Sequence, residues 1–158
     1  GAAWVEAKRG DFTFYVEGMT AGVARVMAKL DAERQAVAAA FGHALHSLVE
    51  EMQAIGTVPP GWDNAADLAG AIAAGEANQK IKAPDSFKHR YYLEDFGHGL
   101  LPFLQFAEVA RVETPVAKSL YELACGATGT DFAASGRTAH RMGFEAGNRE
   151  SLMKIVRG

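Results

Sequence analysis

Thr20-Ala21-Gly22-Val23-Ala24-Arg25-Val26-Met27-Ala28-Lys29-Leu30-Asp31-Ala32-Glu33-Arg34-Gln35-Ala36-Val37-Ala38-Ala39-Ala40-Phe41-Gly42 is the stretch on which the fold class turns. Its apolar residues Val23, Val26, Met27, Leu30, Val37 and Phe41 stand at offsets 0, 3, 4, 7, 14 and 18, which is one face of an α-helix and not the alternation of a strand. Thr20 has the side chain of an N-cap and Gly42 can take the left-handed stop, so both ends carry their own signals. Arg34 falls eleven residues after Val23 and returns to the same stripe, which predicts a half-buried cation. It either snorkels to water or pairs with an acid on a neighbouring segment.

The same period extends outward. A second helix is expected from Ala44 to Ile55, stopping at Gly56 before the loop Thr57-Val58-Pro59-Pro60-Gly61. Asp63 or Asn64 then caps an Ala-rich helix that ends near Ala74-Gly75. From Gly75 to Asp95 no period is visible, and a long irregular connection is expected. Past His98, Leu100-Leu101-Pro102-Phe103-Leu104-Gln105-Phe106-Ala107 is apolar nearly all round and predicts the buried central helix, with Pro102 in its first turn. Thr114-Pro115 opens a further helix with Val116, Leu120 and Leu123 inward and Gly126 as its end. Short helices at Thr138–Met142 and Asn148–Val156 close the chain. Only Asp11–Val16 could form a short strand or an extended lead-in, so the fold class is all-α.

With 158 residues, 49% of them hydrophobic and 22% charged, the chain is expected to form a single domain. At that size folding removes roughly 70% of the unfolded surface from water, so neither disulfides nor structural metal are required. Cys125 is the lone cysteine, which excludes an internal disulfide framework and a cysteine-based zinc site and fits a cytoplasmic protein. A formal charge of -3 gives no basic face for nucleic acid, and no run of about eighteen apolar residues marks a membrane span. The chain begins at Gly1, not Met, with an apolar Ala2-Ala3-Trp4-Val5. It is therefore expected to be truncated from a longer protein.

Residue chemistry narrows the candidates further. His43, His46 and Glu50 at i, i+3 and i+7 of the second predicted helix could converge on a metal or simply line a wet face. Gly126-Ala127-Thr128-Gly129-Thr130 follows a helix and lacks the spacing of a dinucleotide or P-loop turn, so no cofactor-phosphate site is expected within the chain. The densest polar group is Lys88-His89-Arg90-Tyr91-Tyr92-Leu93-Glu94-Asp95. It leads into the apolar helix, where a carboxylate can orient a histidine and an arginine can grip a substrate carboxylate with two hydrogen bonds. The competing reading makes Glu94 and Asp95 a structural acidic cap.

Arg-Tyr-Tyr-Leu-Glu-Asp-Phe-Gly-His-Gly-Leu-Leu-Pro-Phe, Arg90 to Phe103, resembles the octopine/nopaline (opine) dehydrogenase family in its C-terminal helical domain. Gly10-Asp11-Phe12-Thr13-Phe14-Tyr15-Val16-Glu17-Gly18, followed by Val23–Val26 and Leu30–Arg34, resembles the opening of that domain. Thr114-Pro115-Val116-Ala117, Gly136-Arg137-Thr138 and Met142-Gly143 resemble its later elements. The similarity runs from Gly10 to Leu152 and rests on the joint order of these motifs.

The resemblance implies a fold like the helical C-terminal domain of 6-phosphogluconate dehydrogenase. It also implies an NAD(P)-dependent oxidoreductase that condenses an amino acid with a 2-keto acid and reduces the resulting imine. NAD or NADP would be bound mainly by a preceding Rossmann domain absent from these residues. Residues 1–158 would then be a helical substrate-binding domain, expected to be inactive alone. The family's R-x-x-x-E-D motif puts Asp95 in a His-Asp proton-transfer dyad and Arg90 on a substrate carboxylate. The dyad histidine lies upstream of this chain, since none of its five histidines occupies that position. Tyr15, Glu17 and Thr20 are further candidates for amino-acid contacts, and His98 for reaching the same cleft. Gly97 departs from the Pro that many relatives carry after the motif. The partners implied are the two small-molecule substrates, with a homodimer left open. The alternative is a stand-alone helical interaction module that dimerises through Leu100–Ala110 without catalysis.

Overall fold

The computed structural model describes residues 2–58, 62 and 67–157. They form α1 Ala2–Lys8, α2 Ala21–Ala40, α3 Leu48–Ala54, α4 Leu68–Ala74, α5 Arg90–Glu94, α6 Leu101–Ala110, α7 Pro115–Thr128, α8 Phe132–Ser135 and α9 Arg149–Arg157. Two 3-10 turns, Asn78–Lys80 and His140–Met142, and a π-helical turn, Asp95–Leu100, interrupt the series. Among the described residues the only β feature is one antiparallel bridge, Thr13 to Lys82, so the all-α class holds, and Asp11–Val16 forms no strand but passes into a turn at Phe14. The chain divides into two compact units, Gly1–Gln35 with Leu45–Phe87 and Ala36–Ala44 with Lys88–Gly158.

In the first unit α2 starts as its sequence dictates, with the Val23 N–H donating to Thr20 Oγ1 at 3.3 Å. Of the expected stripe Val37 is buried and Met27, Leu30 and Phe41 are partly buried, but its first turn differs. Ala24 is buried with Leu68 and Ile72 of α4, while Val23 and Val26 are 38% and 41% exposed. Alanine's small side chain lets the two larger α4 residues approach the α2 backbone, and close approach decides burial here over side-chain size. At the far end Gly42 takes φ +86°, the left-handed geometry predicted for the stop.

Arg34 is half-buried, and the ion-pair reading is the one realised. Its guanidinium donates to Asp31 Oδ1 at 2.8 Å, to Glu51 Oε1 of α3 at 2.9 Å and to the His46 carbonyl at 2.6 Å. Asp31 Oδ2 in turn accepts from the Leu48 N–H at 2.9 Å, so α3 is tied to α2 by charge-assisted bonds at its first turn. Arg34→Met, which keeps the aliphatic stem, is expected to destabilise this unit by about 2 kcal/mol. Both tryptophans, Trp4 and Trp62, belong to the unit, so urea unfolding followed by their fluorescence checks the value. A loss below a few tenths of a kcal/mol would return Arg34 to the snorkelling reading.

α3 begins at Leu48, four residues later than the expected Ala44. A reciprocal capping box fixes the start: Ser47 Oγ accepts from the Glu50 N–H, and Glu50 Oε2 accepts from the Ser47 N–H at 2.7 Å. These bonds, the Ser47 hydroxyl first, hold the Glu50 carboxyl below its ordinary range. A depressed carboxylate supports the folded form above its unfolded pKa and loses that support as pH falls through the folded value. The Ser47 amide resonance is therefore expected to titrate with Glu50 below the usual carboxylate range, and Ser47→Ala to move that titration back up. Because His43 and His46 precede the helix, His43, His46 and Glu50 do not share a helical face. α4 is capped by Asp67, whose Oδ1 accepts from the Gly70 N–H at 2.8 Å, and it ends at Ala74 as expected. The predicted caps Asp63 and Asn64 lie outside the described residues.

In the second unit the helix expected to begin near His98 begins at Arg90, and α5, the π turn and α6 form one unbroken helical run to Ala110. Leu101, Pro102, Ala107 and Val109 are buried. The apolar residues offered as a dimerising face are thus largely consumed inside their own unit. Val109 joins Ala139, Phe144 and Leu152, flanked by Phe41 and Phe106, in a core where the Phe106 and Phe144 rings stack at 5.7 Å. α7 starts at Pro115 as predicted but runs past Gly126 to Thr128, with Gly129 taking the left-handed stop at φ +65°. An interior glycine costs a helix only about 1 kcal/mol, too little to end one that is otherwise well packed. Ala117 and Ala124 mark its inner face, and Leu123, expected inward, is 68% exposed. No described helix is long and apolar enough to cross a membrane.

Candidate functional site

The run from Arg90 is started by an unusual cap. His89 Nδ1 accepts from the Tyr91 N–H at 3.3 Å, an acceptor role normally filled by Ser, Thr, Asp or Asn. Asp95 therefore lies inside a helical run and not at its mouth, which corrects the expected placement. It opens the π turn, where Gly97 and Gly99 supply little side-chain bulk against the wider backbone. π turns inside helices mark functional sites more often than chance.

The run has two sides. Tyr92 and Phe96 stack at 6.3 Å, Phe96 meets Phe132 of α8 at 5.7 Å, and Gly97 is buried beneath them. Arg90, Leu93, Glu94, Asp95 and His98 occupy the exposed side. Arg90, Asp95 and His98, three of the predicted site residues, are thus all exposed along one helical run, with the Arg90 charge close enough to act on Asp95. Arg90 Nε stands 3.4 Å from Glu94 Oε2 in an exposed pair one turn apart. Exposed pairs of this spacing are worth about 0.3–0.5 kcal/mol, so a bidentate carboxylate ligand can displace Glu94 at little cost.

Partial burial pushes the Asp95 carboxyl above its ordinary range, the neighbouring Glu94 charge adds to the rise, and Arg90 opposes it. That direction discriminates between the two readings of this acid. A capping carboxylate accepts backbone N–H bonds beside a helix dipole and is pulled down. Asp95 is pushed up and accepts no hydrogen bond among the described residues, so it is not held as a capping carboxylate is.

Tyr15, Glu17 and Thr20 lie in the first unit, on the turn leading into α2. Glu17 Oε2 accepts from the Thr13 N–H at 2.6 Å and the Thr13 hydroxyl at 2.8 Å, bonds that hold its carboxyl below the usual range. Thr20 caps α2 through its hydroxyl. Tyr15 is half-buried against the Ala24–Leu68–Ile72 cluster, with its ring 5.0 Å from Phe14. The polar groups of Glu17 and Thr20 are thus engaged in local structure. Among the described residues no three His, Cys, Asp or Glu side chains are placed to share a metal ion.

The π turn is the feature that sequence reasoning missed. Its signal was present as Gly97-x-Gly99 followed by Pro102 inside an apolar run.

Residues 1–128 match the sequence profile described as NAD/NADP octopine/nopaline dehydrogenase, alpha-helical domain. The chain is 32% identical over 134 residues to an opine dehydrogenase from Arthrobacter sp. (strain 1C), a match covering 84% of this chain and 36% of that protein. A vitopine synthase from Allorhizobium ampelinum is 29% identical over 147 residues, covering 92% and 39%. A D-nopaline dehydrogenase from Agrobacterium vitis is 30% identical over 112 residues, covering 71% and 26%. These matches span less than two-fifths of the length of the curated relatives.

Proposed function

The chain belongs to the octopine/nopaline dehydrogenase family, in its alpha-helical domain, and from that premise we propose that it is the substrate domain of an opine-type NAD(P)-dependent oxidoreductase. The parent enzyme joins the amino group of an amino acid to the carbonyl carbon of a 2-keto acid with loss of water. It then reduces the imine to a secondary-amine dicarboxylate. The fold expected on this reading is that of the 6-phosphogluconate dehydrogenase C-terminal domain.

The observation that carries the reading is Arg90 and Asp95 exposed along one helical run, in the spacing of the family motif, with the Asp95 carboxyl raised above its ordinary range. Arg90 binds a substrate carboxylate in place of Glu94. Asp95 assists proton transfer together with a histidine supplied from outside these residues. His98, Tyr15, Glu17 and Thr20 are assigned to substrate contact, the last two only where their present bonds are exchanged for ligand.

Gly126 lies within α7 and Gly129 ends it, so neither of these glycines opens a helix onto a phosphate of NAD(P)H. The cofactor would supply the hydride from another part of the parent enzyme.

A full-length parent is expected to oxidise NADH or NADPH only when an amino acid and a 2-keto acid are both present. Equal oxidation with the keto acid alone would make it a hydroxy-acid dehydrogenase and overturn this assignment.

A further inference from the structure

One hydrogen bond at the π turn lies outside the helix's own pattern. Within the turn the Leu101 N–H reaches back five residues to the Phe96 carbonyl. The next donor in that series would be residue 102, and Pro102 has no N–H. The buried carbonyl of Gly97, left without that donor, accepts instead from the backbone N–H of Arg137 at 2.8 Å.

The approach depends on the absence of a side chain on one strand of the contact. A Cβ at Gly136 would collide with the Gly97 and Phe132 carbonyls and stand 2.9 Å from Leu101 Cδ2. A Cβ at Gly97 would find only ordinary contact, 3.5 Å from the Gly136 Cα. Arg141 holds the same segment from its other side, donating to the Gly136 carbonyl at 2.8 Å and to the Ala134 carbonyl at 2.6 Å. The arginine is spent on backbone, where it braces the contact.

We propose that Pro102, Gly136 and the Arg137 amide form a clamp that locks the register of the π turn and so positions Asp95, which makes Pro102 and Gly136 positioning residues. The catalytic part of this inference rests on the reading of Asp95 given above. A π turn holds one more residue than the α-helical turn it replaces. With an N–H at residue 102 the α pattern becomes available, residue 102 donating to the His98 carbonyl and Leu101 to the Gly97 carbonyl, and the turn would relax to α-helix and rotate Asp95 by about 100° about the axis relative to α6. Proline at 102 withholds that donor and its ring crowds the i−4 carbonyl, while Arg137 satisfies the Gly97 carbonyl that Leu101 leaves open.

The test is Pro102→Ala, with Gly136→Ala as a second variant. Pro102→Ala removes a helix-breaking residue, so it decides the matter even where Gly136→Ala fails to fold. In the 158-residue chain, amide exchange at Arg137 is expected to quicken about tenfold. The Asp95 carboxyl carbon resonance, read at one fixed pH, is expected to shift with it. In the full-length enzyme kcat should fall by about tenfold while KM stays within about twofold, as for a misplaced group that does not bind substrate. Unchanged exchange at Arg137 would overturn the clamp. Faster exchange with an unmoved Asp95 resonance, or with wild-type kcat, would overturn the positioning role. If the parent shows no amino-acid-dependent turnover, the proposed function falls. The exchange and Asp95 resonance measurements still decide the clamp.

Discussion

Asp95→Asn in the full-length parent enzyme is expected to lower kcat by about 10²–10⁴-fold, the usual worth of a positioned proton-transfer group, with KM changed far less. Asparagine keeps the shape of the side chain and removes the proton. The same change should leave stability at neutral pH unchanged or slightly higher. Burial and Glu94 raise the folded pKa of Asp95, so the folded form takes up its proton more readily than the unfolded chain. Stability contributed by such a group is complete below the unfolded pKa and is lost as pH rises through the folded one. Asparagine does not titrate and escapes that loss. A structural cap would behave in the opposite way, losing stability on replacement while sparing turnover. Kinetics and thermal unfolding of one variant therefore separate the two roles.

The second large effect is expected from Phe132→Ala. Phe132 is among the largest fully buried side chains, and its ring lies 5.7 Å from Phe96 and 6.3 Å from Tyr121 of α7. Removing it opens a cavity under the π turn and should cost about 3–5 kcal/mol. Circular dichroism is the suitable probe, because both tryptophans belong to the other unit. A cost under about 1 kcal/mol would mean that the aromatic layer does not support the turn. The neighbouring Tyr121 phenol, pushed up to about 12 by burial and by Cys125 beside it, stays protonated throughout the usable pH range and adds no titration to the measurement.

How much of this was legible in the sequence depended on whether the signal was local. The ends of α2 followed from Thr20 and Gly42, and the half-buried state of Arg34 followed from its place on the stripe. Its partners did not, since Glu51 and the His46 carbonyl reach it only once α3 has docked. The stripe held at Val37 and, in part, at Met27, Leu30 and Phe41, and failed at Val23 and Val26, where Ala24 packs instead and apolar size says little about which side is buried. The start at Arg90 escaped because His89 caps through a ring nitrogen, a role that the usual N-cap residues do not announce. Gly97 and Gly99 lie in a wider turn in which the Gly97 carbonyl is satisfied from residue 137. A contact forty residues away leaves no trace in local pattern. Arg90 and Asp95 were found through family resemblance, and residue chemistry alone had left the acid divided between cap and catalyst.

The most direct measurement is the fate of a labelled hydride. The full-length enzyme is incubated with an amino acid, a 2-keto acid and NADH or NADPH deuterated on the transferring face of the nicotinamide C4, and the products are examined by mass spectrometry and proton NMR. The account predicts a secondary-amine dicarboxylate with one deuterium on the carbon that had been the keto carbonyl. A deuterated 2-hydroxy acid, with the amino acid recovered unchanged, would contradict it.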